Sequence, residues 1–151
     1  MKTIKLLAKY LFLWLLGGSI YYCIELFYRG YSHISMFALG GVCFILIGLI
    51  NEILPWDMYI ELQTLLGTVC VTALEFVTGC IVNLWLKLDV WDYSNLPINL
   101  LGQICVPFML IWIPLVLIAI ILDDYIRHWY FSEELPRYKS WIIEKIKNRK
   151  S

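Results

Sequence analysis

Glu61, Thr64, Thr68, Thr72, Glu75, Gly79 and Asn83 recur at steps of three and four residues through an otherwise apolar stretch. That spacing puts them on one face of an α-helix, with Leu65, Leu66, Val69, Val71, Leu74, Phe76, Val77, Ile81 and Val82 between them. The chemistry such a stripe offers is the binding of a polar solute or ion, with proton exchange at the mid-helix carboxylate Glu75. At about 1.5 Å per residue the stripe is roughly 33 Å long, close to the bilayer hydrocarbon thickness of about 30 Å. Lipid would make this face costly, above all at Glu75, so it must face other helices or water.

Further polar groups fall into the same half of the chain's apolar segments. Gly18, Tyr22, Glu25 and Arg29 share a helix face, and Glu25–Arg29 is an i,i+4 ion pair in the favourable order. His33 follows in the next loop, Asp92 lies in a later one, and Asn99 and Gln103 stand one helical turn apart before Pro107. Glu25, Arg29, His33, Glu75, Asn83, Asp92, Asn99 and Gln103 are therefore the candidate lining residues of one outward-facing substrate pocket. The competing reading is that these groups satisfy one another as interhelical glue, worth about 1 kcal/mol each. Glu75 favours a site, because its own helix supplies no cation: the carboxyl is either protonated or paired from another element.

Catalytic chemistry is poorly supplied. The chain has two histidines, and His33 with Asp92 or Glu75 is the one acid–base combination that could be assembled. No serine-protease, metalloprotease or phosphotransferase motif is present, so no enzyme and no catalytic residue is expected. Cys23, Cys43, Cys70, Cys80 and Cys105 are scattered singly through apolar segments. They read as small buried hydrophobes rather than disulfides or metal ligands, and neither a metal nor a cofactor is expected.

The elements that position these residues are membrane helices. Only 16% of the 151 residues are charged, and the mean hydropathy is +0.74, whereas soluble domains are about a quarter charged. Zero net charge gives nucleic acid no basic surface to bind. Apolar stretches at about 10–28, 35–53, 61–86 and 98–122 are each long enough to span a bilayer. The expected fold class is therefore all-α: a polytopic protein with a four-helix transmembrane domain over 1–128 and a basic amphipathic tail over 129–151. The first span keeps bulky Tyr21, Tyr22 and Cys23 where a signal-peptidase site would need small residues, so it reads as uncleaved.

With the N-terminus inside, ten of the twelve Lys and Arg residues fall on the inner side, and only Arg29 and Lys87 fall outside. The positive-inside rule then places both termini in the cytoplasm and the protein in the cell membrane. Trp14, Trp85, Trp91, Tyr93 and Trp129 sit near the expected span ends, as an aromatic belt would. Residues 133–150 read as an amphipathic helix on the anionic inner surface, with Ser132 as its N-cap. Gly40, Gly41 and Gly48 suggest close helix packing, and Pro107 and Pro114 suggest a bent fourth span. Ser94 or Asn95 is placed to cap that span, with Pro97 in its first turn. Asp92 either makes an Asx-type turn there or closes the pocket.

Several of these segments together carry a resemblance. They are His33-x-Ser35-Met36-Phe37 with Gly40-Gly41, Asn51-Glu52, and Thr72-x-x-Glu75-Phe76-x-x-Gly79-x-x-Val82-Asn83. Val90-Trp91-Asp92-Tyr93-Ser94 and Pro97-x-Asn99-x-x-Gly102-Gln103-Ile104-Cys105 complete the set. Over residues 25–128 the chain resembles the ABC-transporter type IV, or CmpB-like, permease family of small bacterial membrane proteins. The resemblance implies a permease but carries over no substrate and no catalytic residue. No G-x-x-x-x-G-K-[ST] phosphate loop is present, so an ATPase would be a separate subunit. Its docking surface would be the inner connection at Pro55-Trp56-Asp57 and the C-terminal arm.

Two functions compete. The first is a permease-like protein that moves a small solute or ion along the polar seam, as a homo-oligomer or with a partner membrane subunit. The second is a non-transporting structural or regulatory subunit, a holin-like pore former included, whose seam is an assembly interface.

Overall fold

A computed structural model describes residues 2–54, 58–134 and 137–149. The Pro55-Trp56-Asp57 connection, expected to be an ATPase contact, lies outside the described residues. Four long helices form an up-and-down bundle: α1 (Lys2–Arg29), α2 (Ile34–Ile53), α3 (Ile60–Gly79, continued by a π-helical turn at Cys80–Trp85) and α4 (Val106–Phe131). Each is long and apolar enough to cross a membrane. A two-stranded hairpin, β1 (Asn99–Leu100) and β2 (Ile104–Cys105), precedes α4, and a short α5 (Trp141–Arg149) follows it. One end of the bundle thus holds the termini and the other holds the hairpin.

Helices α1 and α2 are pressed together by small residues. A Cβ added at Gly40 would stand 2.4 Å from the Tyr21 Cβ, and one at Gly17 would stand 2.2 Å from the Phe44 Cβ. The pair turns at Gly30, whose φ of +76° ends α1 in the left-handed conformation that favours glycine. His33 then caps α2, its ring nitrogen accepting the Ser35 amide at 3.2 Å. Helix α3 packs its polar stripe inward: Thr64, Thr68, Thr72, Glu75 and Asn83 are all buried. The core around them combines Met36, Leu39, Ile47, Val71, Val116 and Ile120.

The fourth helix begins at Val106, not near Ile98 as the apolar run suggests. Residues 98–105 are diverted into the hairpin, with Asn99 paired to Cys105 and Leu100 to Ile104. The turn needs left-handed backbone at Leu101 and Gly102, and the Asn99 side chain secures it from within. Asn99 and Gln103 are therefore hairpin residues rather than successive turns of a helix. Cys105 occupies the N-cap of α4 without a side-chain cap bond, so neither Ser94 nor Asn95 caps it. At the far end α4 continues to Phe131, and Ser132 terminates it at φ +56°. Ser132 is thus the C-cap of α4, and among the described residues of the expected 133–150 helix only Trp141–Arg149 is helical. Trp91 also departs from the belt expected for it: it is buried, with its indole N–H donated to the Gln103 carbonyl at 2.9 Å.

Candidate functional site

Two threonines of the α3 stripe are satisfied within their own helix, whereas the buried Thr72 hydroxyl has no hydrogen-bond partner among the described residues. Thr64 donates its hydroxyl to the Ile60 carbonyl and Thr68 to the Thr64 carbonyl, both at 2.8 Å, the back-bonding that lets hydroxyls sit inside helices. Glu75 is different. Its residue is 1% exposed, and its oxygens accept from the Trp112 indole N–H at 2.9 Å and the Tyr93 hydroxyl at 3.1 Å. Both donors are neutral, and among the described residues no ion pair reaches Glu75. A charge removed from water without a partner is expensive, so the site is built to keep an unpaired carboxyl at mid-bundle.

Glu75 borders a cavity of about 110 Å³ to which all four long helices contribute. Its walls are otherwise apolar or aromatic, Tyr21, Cys43, Val71 and Trp112 among them. Trp112 stacks on Tyr21, centroids 5.6 Å apart and planes 16° apart. A second cavity of about 210 Å³ lies toward the hairpin end, lined by Glu25, Arg29, Tyr93 and Phe108 among others. Tyr21, Ile24, Trp112 and Leu115 line both cavities. The Tyr21–Trp112 stack is thus part of the wall that the two cavities share.

At the hairpin-end cavity Glu25 and Arg29 pair at 2.8 Å, and Ser32 donates to the second Glu25 oxygen at 2.5 Å. Arg29 also donates to the Val90 carbonyl at 2.8 Å and lies over the Tyr31 ring. The guanidinium is committed to Glu25 and the loop rather than to Glu75. Burial and the neighbouring Glu75 push the Tyr93 phenol well above its usual range, which keeps it a neutral donor.

The remaining sequence candidates hold the loop in place. Asn83 donates to the Gln103 side chain at 2.8 Å and accepts the Val90 amide at 2.7 Å. Gln103 donates in turn to the Leu101 carbonyl at 2.9 Å. Asn99 donates to the Ser94 and Leu96 carbonyls and accepts the Gly102 amide. Asp92 forms the Asx-type turn, accepting the Ser94 amide at 2.8 Å and its hydroxyl at 2.5 Å. Those two bonds hold the Asp92 carboxyl below the usual range. Of the eight candidates, Glu25, Arg29 and Glu75 border the cavities. Asn83 and Gln103 clasp the loop beside them, and His33, Asp92 and Asn99 serve local caps and turns.

Sequence reasoning missed a second polar cluster at the end holding the termini. Asp123 and Arg127 are almost wholly buried and bonded at 2.5 Å. Asn51 and Tyr138 both donate to Asp124, at 2.5 and 2.7 Å, while Glu133 pairs with Lys9. The Arg127 terminal nitrogen lies 3.8 Å from Glu52 and 3.9 Å from Glu133. The signal is Asp123 and Arg127 at i,i+4, which a span ending near Leu122 leaves outside the apolar segment. Beside this cluster the tail is strapped to α3. Glu61 accepts the Ser140 hydroxyl and the first amides of α5, and Ile60 donates to the Lys139 carbonyl at 2.9 Å. Among the described residues no three side chains converge as metal ligands.

The family described as Putative ABC-transporter type IV has a model that matches residues 8–147. The chain belongs to that family. The match covers most of α1, the rest of the bundle, the hairpin and most of α5, so the Glu75 cavities and the cluster around Arg127 both lie inside the region the family shares. Comparison with curated proteins and with solved structures returned no match.

Proposed function

We propose that this ABC-transporter type IV member is a permease-like protein of the cell membrane that binds a small solute or ion at Glu75 and passes it along the α1–α4 side of the bundle. The observation that carries the reading is the carboxyl itself: buried at mid-bundle, bonded by neutral donors and open to a cavity. A carboxylate meant only as glue would be paired with a cation, as Glu25 is with Arg29. Buried ionisable groups in membrane helices mark solute and proton pathways by default. The excess of basic residues at the termini supports cytoplasmic N- and C-termini. That orientation puts the Arg127 cluster and the α5 strap on the face where a separate ATPase subunit would dock. The cavities are small for one four-helix bundle, which favours a homo-oligomer or a partner membrane subunit.

The mutual satisfaction of Asn83, Gln103 and Trp91, with Asn99 spent on its own turn, supports a second reading, a structural or regulatory subunit whose polar groups only hold shape. Purified protein in vesicles loaded with a pH-sensitive dye separates the two. An imposed proton gradient should collapse faster than in protein-free vesicles, and Glu75→Gln should return it to the protein-free rate. Equal rates for wild type and Glu75→Gln would favour the structural reading.

A further inference from the structure

We infer that Glu75 and the Tyr21–Trp112 pair form a site for lipophilic organic cations, reached from the lipid phase between α1 and α4. The inference rests on the reading of Glu75 as the binding group and adds the class of substrate and its route.

The chemistry of the walls selects the class. Around the carboxyl, the inner cavity is lined by apolar side chains such as Ile20, Val71, Leu115 and Val116, with the rings of Tyr21 and Trp112. An anion would meet the Glu75 charge with no opposing cation. A hydrated metal ion needs several oxygen ligands to replace its water, and among the described residues no metal-binding cluster forms. A sugar would leave its hydroxyls unpaired against aliphatic walls. An organic cation with apolar or aromatic substituents satisfies the carboxylate, the aliphatic surface and the aromatic faces together. Ring faces attract such cations within about 6 Å, and quaternary ammonium groups are recognised in this way.

The route follows from how the helices pack. Helix α1 is locked along α2 through its glycines, and α4 packs on α3 and α2. Among the described residues α1 and α4 show no comparable backbone packing. Aromatic pairs bridge the gap instead: Phe12–Phe131 near the termini, Tyr21–Trp112 in the middle and Tyr28–Phe108 near the hairpin. Rings close a seam but reopen by side-chain rotation, without moving a helix. The two cavities lie one above the other along this seam. Trp112 therefore has two contacts to exchange, since it donates to Glu75 and stacks on Tyr21. A cation arriving at the carboxyl would take the place of the indole N–H and loosen the stack in the wall that the cavities share.

The test is titration of the purified full-length protein in nanodiscs with tetraphenylphosphonium, followed by tryptophan fluorescence and calorimetry. Saturable binding is expected, weakened about tenfold or more in Glu75→Gln. Glu75→Asp keeps the charge and should retain binding, which guards against a variant that simply fails to fold. Tyr21→Leu should also weaken binding, and tetraphenylborate, of the same shape and opposite charge, should not bind. Binding unchanged in Glu75→Gln, or equal binding of tetraphenylborate, would overturn the inference. Absence of tetraphenylphosphonium binding beside a Glu75-dependent proton flux would overturn the inference and leave the permease reading standing. Absence of both would remove both.

Discussion

The Gly48 backbone lies against the Asp123 carboxylate so closely that a Cβ at position 48 would stand 2.0 Å from Oδ2 and 2.4 Å from Cγ. Asp123 has nowhere to retreat, because it is fully buried and bonded to Arg127 at 2.5 Å. Gly48 is therefore the residue that lets α2 and α4 meet over an ion pair.

Gly48→Ala should destabilise the bundle by about 1–3 kcal/mol, the usual cost of overpacking a filled interior. Thermal unfolding in detergent reads the change. An unaltered midpoint would mean that the pair shifts aside freely.

Arg127→Gln should cost more, about 3–5 kcal/mol, because it leaves buried carboxylates uncompensated. Adding Asp123→Asn should recover part of the loss, since the two sites are bonded and their effects do not add. A double-mutant cycle on unfolding free energies measures this. Strict additivity would show that the pair is not coupled.

Glu61→Ala removes the acceptor for the Ser140 hydroxyl and for the Trp141 and Ile142 amides. Losing such a cap costs about 0.5–2 kcal/mol, enough to release a nine-residue helix. Hydrogen exchange over 141–149 should accelerate while the bundle core is unchanged. Equal protection would place the tail's anchorage elsewhere.

The Asp92 turn should weaken with acid. Its carboxyl is held below the usual range by Ser94, so its contribution is fully present above the unfolded value of about 3.9 and fades as pH falls through the lower folded value. The Ser94 amide resonance, followed through an acid titration, should therefore shift with a midpoint below that of a free aspartate. A midpoint at the ordinary value would mean that the turn does not hold Asp92.

How much was legible in the chain depended on which signal was local. The α3 stripe could be read because polar residues at helical spacing in an apolar segment leave one face to bury, and Glu75 with its neighbours is buried accordingly. The start of α4 could not. Ile98, Leu100, Leu101 and Ile104 continue the apolar run, and Pro97 imitates a helix first turn. The break comes from left-handed backbone at Leu101 and Gly102 and from the Asn99 bonds, which no periodicity reveals. Asp123, Asp124 and Arg127 mislead in the opposite sense. Charges look like the end of a span, but paired with each other and with Asn51 they prolong α4 by more than two turns. The partners of Glu75 were also hidden, because Trp112 and Tyr93 stand 37 and 18 residues away in sequence.

The most direct test of the account is whether Glu75 is a reachable carboxyl or part of a sealed core. Dicyclohexylcarbodiimide partitions into lipid and takes up a carboxyl proton on nitrogen while the carboxylate oxygen adds to its central carbon; the adduct rearranges to a stable N-acylurea. Peptide mass spectrometry of the protein labelled in liposomes should locate the adduct on Glu75, with less on the Arg29-bound Glu25 and with tetraphenylphosphonium slowing the reaction. Labelling that spares Glu75 while modifying other carboxyls would contradict the account and leave the buried glutamate as a structural group.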